Sequence, residues 1–212
     1  MTLEIVKMTL GPASTNCYIV AEQGSSDAVV IDPSWDGHLI LEQLEQRNWR
    51  TAAIWLTHAH WDHFGGAAAL ADGSPTPPQV ALHPEDYVLW RAGGGSRKYG
   101  MTFDPGPEPT IDLAAGQSLY IGSTQLQVRF APGHSRGSVM FYCEQEKLMF
   151  CGDVIFQMSI GRTDLPGADH NTLIKSIYRE VLSLPDNVTL LPGHGPQTTV
   201  GQEREYNPFL QE

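Results

Sequence analysis

Residues 57–63 read Thr57-His58-Ala59-His60-Trp61-Asp62-His63 and follow directly on the apolar run Ala52-Ala53-Ile54-Trp55-Leu56. A short apolar run of this kind suits a buried strand. In an extended segment alternate side chains share a face, so His58 and His60 point the same way and both imidazoles reach one ion. A turn after His60 then aims Asp62 and His63 at a second ion. Mixed imidazole and carboxylate donors suit zinc, iron or manganese. Single histidines are ordinary loop residues, but this density of ligand types at the end of a buried strand predicts a metal site.

Three later segments extend the set. Ala131-Pro132-Gly133-His134-Ser135, Cys151-Gly152-Asp153 and Pro192-Gly193-His194-Gly195 each place one His or Asp beside glycine after a predicted strand. Loops at strand ends are where function concentrates. Together they supply a third ligand for one ion (His134), a bridging carboxylate (Asp153) and a third ligand for the other ion (His194).

The rest of the chain alternates strand and helix signals. Strands are expected at Leu3 to Leu10, Cys17 to Ala21, Ala28 to Ile31, Ser118 to Ile121, Leu126 to Ala131, Val139 to Cys143, Leu148 to Cys151 and Val188 to Leu191. Leu39, Leu41, Leu44 and Trp49 mark a helix, with Asp36 in the turn before it as its cap. Gly65-Gly66 and the alanines after them open another. Leu173, Ile174, Ile177, Val181 and Leu184 lie on one face of a helix spanning Asn171 to Leu184. Ala92 to Pro109, rich in Gly and Pro, reads as a long surface loop. No linker divides the chain, so residues 1–212 are expected to form one α/β domain, two sheets packed together with helices outside.

A chain of 212 residues buries roughly 70% of the surface its unfolded form exposes, enough for a core without staples. Cys17, Cys143 and Cys151 are too few and scattered for a disulfide framework or a cysteine zinc site and are expected to be small buried hydrophobes. The net charge of −11 repels phosphate backbones, which excludes nucleic acid as the expected partner. The N-terminus lacks a basic start followed by an apolar run, and no stretch has the length of a membrane span. A cytoplasmic location without membrane contact is expected; the oligomeric state is left open.

The order of the four ligand segments resembles the metallo-β-lactamase superfamily. Within it, Gly152-Asp153-Val154-Ile155-Phe156 through Gly161-Arg162-Thr163-Asp164-Leu165-Pro166-Gly167 is similar to glyoxalase II-like hydrolases, as are Gly11-Pro12 with Asn16-Cys17-Tyr18 and the tail from Thr199 to Phe209. The resemblance implies an αββα four-layer sandwich with the site at one edge of two mixed sheets. It also implies His58, His60 and His134 as first-site ligands, Asp62, His63 and His194 as second-site ligands, and Asp153 as the bridge. Two divalent ions follow, zinc first, with iron or manganese also compatible. Full-length hydroxyacylglutathione hydrolases carry a C-terminal helical region that binds glutathione. Here Glu212 follows soon after the last ligand, and Gly195-Pro196 stands where those enzymes tend to place an aromatic residue.

The reaction expected from this likeness is hydrolysis of a small 2-hydroxyacyl thioester such as S-lactoylglutathione by a metal-bridging hydroxide, because a bound dication lowers the pKa of water from ~15.7 to ~7. Asp62 and Asp153 are the expected catalytic carboxylates. Arg97, Lys98 and Tyr99, in the glycine-rich loop, and Arg162 are the candidate substrate contacts. Solvation is the default for the first three, as it is for Arg91 nearby; an ion pair with Asp164 is the default for Arg162. The alternatives are a mononuclear iron persulfide dioxygenase, which the same branch resembles at Gly161 to Asp164 and which would use His58, His134 and Asp153, and a lactonase or β-lactamase.

Overall fold

The computed structural model describes residues 2–211; Met1 and Glu212 lie outside the described residues. The first half runs β1 (Leu3–Leu10), β2 (Thr15–Glu22), β3 (Asp27–Ile31), α1 (Gly37–Gln46), β4 (Arg50–Trp55), α2 (Trp61–Phe64), α3 (Ala67–Asp72), β5 (Gln79–Leu82), α4 (Tyr87–Arg91) and β6 (Ile111–Asp112). The second half runs β7 (Ser118–Ile121), β8 (Thr124–Phe130), β9 (Val139–Cys143), β10 (Leu148–Gly152), the small hairpin β11 (Ile155–Phe156) and β12 (Ser159–Ile160), α5 (His170–Glu180), β13 (Thr189–Pro192), β14 (Thr198–Thr199) and α6 (Val200–Tyr206).

Two six-stranded sheets result, ordered β1-β2-β3-β4-β5-β6 and β14-β13-β10-β9-β8-β7. Both are mixed. In the first, β1, β2 and β3 pair antiparallel while β3, β4, β5 and β6 pair parallel. In the second, β10 and β13 form the parallel pair.

Side-chain alternation builds the layers. Successive residues on a strand face opposite sides, and here both sides are covered. In β2, Cys17, Ile19 and Ala21 face a core shared with Ile40 and Leu44 of α1, Phe64 of α2, Leu70 of α3 and Trp90 of α4. Tyr18 and Val20 face the other sheet. In β9, Val139 and Phe141 enter that inter-sheet core, while Met140 and Tyr142 meet Leu173 and Ile177 of α5 on the far side. The architecture is therefore helix, sheet, sheet, helix. Phe141 is fully buried at the centre, its ring 5.3 Å from that of Trp55 in the opposite sheet. Phe141→Ala is expected to cost about 3–5 kcal/mol, the usual range for removing a buried aromatic. Urea unfolding checks it, and a loss below about 1 kcal/mol would mean the inter-sheet core is not packed as described.

Three sequence expectations are corrected. Asp36 does not cap α1: it lies in the left-handed region with φ 50°, makes no side-chain cap, and its carboxylate instead accepts from the Gly11 N–H at 3.3 Å. Trp49 falls outside α1, in the turn before β4, although it packs on the same core. The stretch from Ala92 to Pro109 is not all irregular. Gly93–Tyr99 coils into tight 3-10 turns kinked at Gly94 and Gly95, where φ is 61° and 79°. A Cβ on Gly94 would lie 2.2 Å from the Trp61 backbone nitrogen, so only glycine allows this turn to seat on the start of α2. The three cysteines are buried and free, as expected of small hydrophobes. Among the described residues, no helix is long and apolar enough to cross a membrane.

Candidate metal centre

All seven sequence-identified ligand candidates meet at the ends of strands from both sheets. His58 and His60 lie in the segment leaving β4, and α2 presents Asp62 and His63. His134 comes from the β8–β9 loop, Asp153 follows β10, and His194 follows β13. The donor atoms group as His58, His60 and His134; as Asp62, His63 and His194; and, overlapping both, as His58, His63 and Asp153, each set within 4.8 Å.

The first trio converges through its ring nitrogens. His134 Nε2 lies 2.8 Å from His60 Nδ1 and 3.2 Å from His58 Nε2. The opposite edges of two of these rings are committed. His134 Nδ1 donates to the Arg162 carbonyl at 2.9 Å, and His58 Nδ1 lies 3.1 Å from Thr57 Oγ1. Such contacts fix the tautomer and leave the inward nitrogen free as a ligand. Burial, followed by the neighbouring imidazoles, holds His58 well below the usual histidine range and His60 at about 3. Both are neutral, electron-pair-donating rings at neutral pH.

The second trio is the charged one. His63 Nδ1 donates to Asp32 Oδ2 at 2.9 Å, which turns Nε2 toward Asp62 and Asp153, 3.6 and 3.4 Å away. His194 Nε2 lies 3.3 Å from Asp62 and 3.4 Å from Asp153. Burial opposes charging of His63, but Asp153, Asp62 and Asp32 outweigh it and hold its pKa well above the ordinary value. Burial likewise opposes the shift at His194, where the carboxylates of Asp153 and Asp62 raise the pKa to about 10. Against its own desolvation, Asp62 is held at about 2, His63 being the larger cause and His194 the next. Asp153 is held well below the carboxylate range by His63 and His194, again against its burial.

The residues fit bound cations. His63 Nε2 and Asp153 Oδ1 are buried side-chain atoms with no hydrogen-bond partner, facing each other at 3.4 Å. An orphaned buried donor–acceptor pair is costly unless something satisfies it. Three imidazole nitrogens, with contacts of 2.8 and 3.2 Å between them, converge as the ligands of one cation would. The donor set, imidazole with carboxylate, is that of zinc, iron or manganese.

The supporting residues are where sequence reading stopped short. Asp32 is 2% exposed and accepts from Thr57 N–H at 2.8 Å, Thr57 Oγ1 at 2.7 Å and His63. Thr15 Oγ1 donates to Asp62 Oδ2 at 2.8 Å. Asn16 Nδ2 donates to the carbonyls of Pro192 and Gly195, and Tyr18 Oη to that of Pro192, so β2 fastens the loop that carries His194. The sequence signal for Asp32 was a polar residue directly after a buried strand, the same signal that marked Asp153. Glycine sets the clearance: a Cβ on Gly193 would lie 2.2 Å from Asp153 Oδ1, and one on Gly161 1.9 Å from the Asp153 carbonyl oxygen.

A cavity of about 410 Å³ opens over the two trios, walled by Ala13, Trp61, Leu89, Leu165 and Pro166 and reached by Lys98, Tyr99 and Arg162. Of the candidate substrate residues, Arg97 is exposed on the same turn and does not line it. The Tyr99 ring packs against that of Trp61, centroids 5.7 Å apart and tilted by 50°, tying the 93–99 turn to α2. The Arg162 guanidinium pairs with both carboxylate oxygens of Asp164 at 2.7 Å, as expected, and its backbone carbonyl orients His134.

This geometry has clear counterparts. Residues 10–194 match the family model described as Metallo-beta-lactamase superfamily. The chain is 37% identical to the probable metallo-hydrolase YqgX of Bacillus subtilis, covering 96% of each chain. It is 30% identical to the hydroxyacylglutathione hydrolase GloC of Haemophilus influenzae, over 99% of this chain and 98% of that one. It superposes on the crystal structure of the BLEG-1 B3 metallo-beta-lactamase with a TM-score of 0.91 at 39% identity, covering 99% of this chain and 100% of that one. With two packed mixed sheets, helices outside and the candidate ligand residues gathered at one edge, the chain belongs to the metallo-β-lactamase superfamily and is a metallo-hydrolase of that fold.

Proposed function

We propose that the chain hydrolyses a small 2-hydroxyacyl thioester such as S-lactoylglutathione, with two divalent ions held by His58, His60 and His134 and by Asp62, His63 and His194, Asp153 serving both. The observation that carries the reading is the placement of Asp153. Its Oδ1 faces His63 at 3.4 Å, while its Oδ2 faces His134 at 3.5 Å and His194 at 3.4 Å. One carboxylate thus stands between the two trios. When bound, two such ions would supply a water that ionises near neutral pH and a Lewis acid for a carbonyl oxygen.

The chain's own residues supply the rest. The neutral rings of His58 and His60 offer electron pairs without first shedding a proton. Thr15 holds Asp62 in place through its hydroxyl, so this carboxylate orients what it binds. Ala13, Leu89, Leu165 and Pro166 give the cavity apolar walls, and low-dielectric surroundings strengthen the electrostatics of groups beside them. Lys98 lines that cavity and offers positive charge to a substrate carboxylate, whereas the charge of Arg162 is already paired with Asp164. A thiolate leaves without a dedicated acid, so no proton donor beyond these groups is required. The relationship to the Haemophilus hydroxyacylglutathione hydrolase, end to end in both chains, supports this substrate class.

The test is a panel of acyl thioesters on purified protein whose metal content is measured on the same sample. S-lactoylglutathione is expected to be cleaved with kcat/KM of about 10⁴ M⁻¹s⁻¹ or more, the lower end for ordinary enzymes, and a chelator should abolish the activity. Oxygen uptake with a persulfide, dependent on iron and without thioesterase activity, would replace this reading with the dioxygenase one. Hydrolysis of a β-lactam or lactone with no thioester turnover would replace it with the third.

A further inference from the structure

Asp86 closes the 3-10 turn Pro84–Asp86 that follows β5, and it is 1% exposed. Its Oδ2 accepts from the Ala59 N–H at 2.9 Å and from Ser135 Oγ at 2.7 Å; its Oδ1 accepts from the Gly137 N–H at 2.7 Å. Ala59 is the residue between His58 and His60, and Ser135 follows His134 directly. We propose that Asp86 is the positioning residue of the His58, His60 and His134 trio, holding the two loops that carry it in mutual register. The proposal rests on the metal-binding reading of that trio given above.

His58 and His60 leave a strand of the first sheet and His134 a strand of the second, so no sheet pairing registers these loops on each other. Apart from the Val139 N–H on the Thr57 carbonyl at 2.8 Å, it is the Asp86 carboxylate that ties the peptide beside His58 and His60 to the segment after His134. The residue type matters. All three partners are donors, and an ionised carboxylate is an acceptor only, with capacity for all of them. Bonds of this charge-assisted kind are roughly twice as strong as neutral ones. A buried polar group is costly unless its hydrogen bonds are met, and these three donors meet those of Asp86. The neighbouring loop is shaped around it. A Cβ on Gly137 would lie 2.8 Å from Asp86 Cγ, and glycine there lets the peptide N–H reach the carboxylate.

Asp86→Asn is the sharp variant, since it keeps the volume but presents an amide NH₂ to at least one donor. Zinc is titrated against a chromogenic chelator in wild type, Asp86→Asn and Ser135→Ala, with His60→Ala and His194→Ala assigning the binding phases to the two trios. Asp86→Asn is expected to weaken the phase that His60→Ala removes by about 10–100-fold, the range for partners that orient metal ligands. The other phase should stay within about threefold. Ser135→Ala, which deletes one of the three bonds to Asp86 together with the contact to Ser138 Oγ, should weaken the same phase less, and it carries the test if Asp86→Asn does not fold. Equal weakening of both phases together with lower thermal stability of the metal-free protein would overturn the proposal, leaving Asp86 a fold residue only. So would folded variants whose phases match wild type. Wild-type protein that takes up no zinc, iron or manganese would instead overturn the functional reading, and this proposal with it.

Discussion

Asp153→Asn is expected to hold less than one tightly bound metal per chain and to lose more than the ~10–100-fold that removal of a mere orienting partner costs. The reason is the position of its two oxygens between the trios, Oδ1 toward His63 and Oδ2 toward His134 and His194. An amide of the same shape offers one oxygen and one NH₂, so one trio would face a donor where it now faces negative charge. Gly193 is closed up against the Asp153 carboxylate to the point where it tolerates no Cβ, and Gly161 is closed up in the same way against the Asp153 backbone carbonyl. Elemental analysis and kcat on the same preparation check both halves of the expectation. Two retained metals with near-normal kcat would remove the bridging role.

Asp32→Ala is expected to be the most destabilising single change near the site. Asp32 is buried at the end of β3 with φ 50°, and it receives Thr57 N–H, Thr57 Oγ1 and His63 Nδ1 at 2.7–2.9 Å. Truncation leaves these donors unmet and His63 without the carboxylate that turns it. Breaking a buried charged pair by removing one partner costs about 3–5 kcal/mol. For a chain of this size each kcal/mol is worth about 2–4 °C, so the melting temperature should fall by roughly 6–20 °C. Thermal denaturation of metal-free protein isolates this from any contribution of bound metal. A shift under about 2 °C would show that Asp32 is not a structural anchor.

Much of the scaffold is local physics and could be read along the chain. β1, β7 and β9 fall where alternation and β-branched or aromatic residues place them, and α5 overlaps the expected amphipathic stretch of Asn171 to Leu184, starting one residue earlier at His170 and ending at Glu180, where the helical geometry gives way to turns. The short elements were not legible. β6 and β14 carry two residues each, too few for a period to register, and α6 is barely two turns long. The 93–99 turn escaped because its order comes from Gly94 seated against Trp61, a contact between segments rather than a property of the segment.

What the sequence by itself determined is the inventory: His58, His60, Asp62 and His63 at a spacing that a strand and a turn convert into two directions, with His134, Asp153 and His194 each beside glycine after a strand. What only the tertiary structure decided is how these groups meet and what steadies them. His58 lies against His134 because two sheets stack, Asp153 stands beside His194 because β10 and β13 pair in parallel, and Asp32 and Asp86 serve as anchors because the chain folds donors onto them. Periodicity and turn chemistry act over a few residues and so are written in the sequence. A hydrogen bond between residues 59 and 86, or a ring contact between 58 and 134, depends on sheet pairing and core packing across the whole chain, and nothing in the local pattern encodes it.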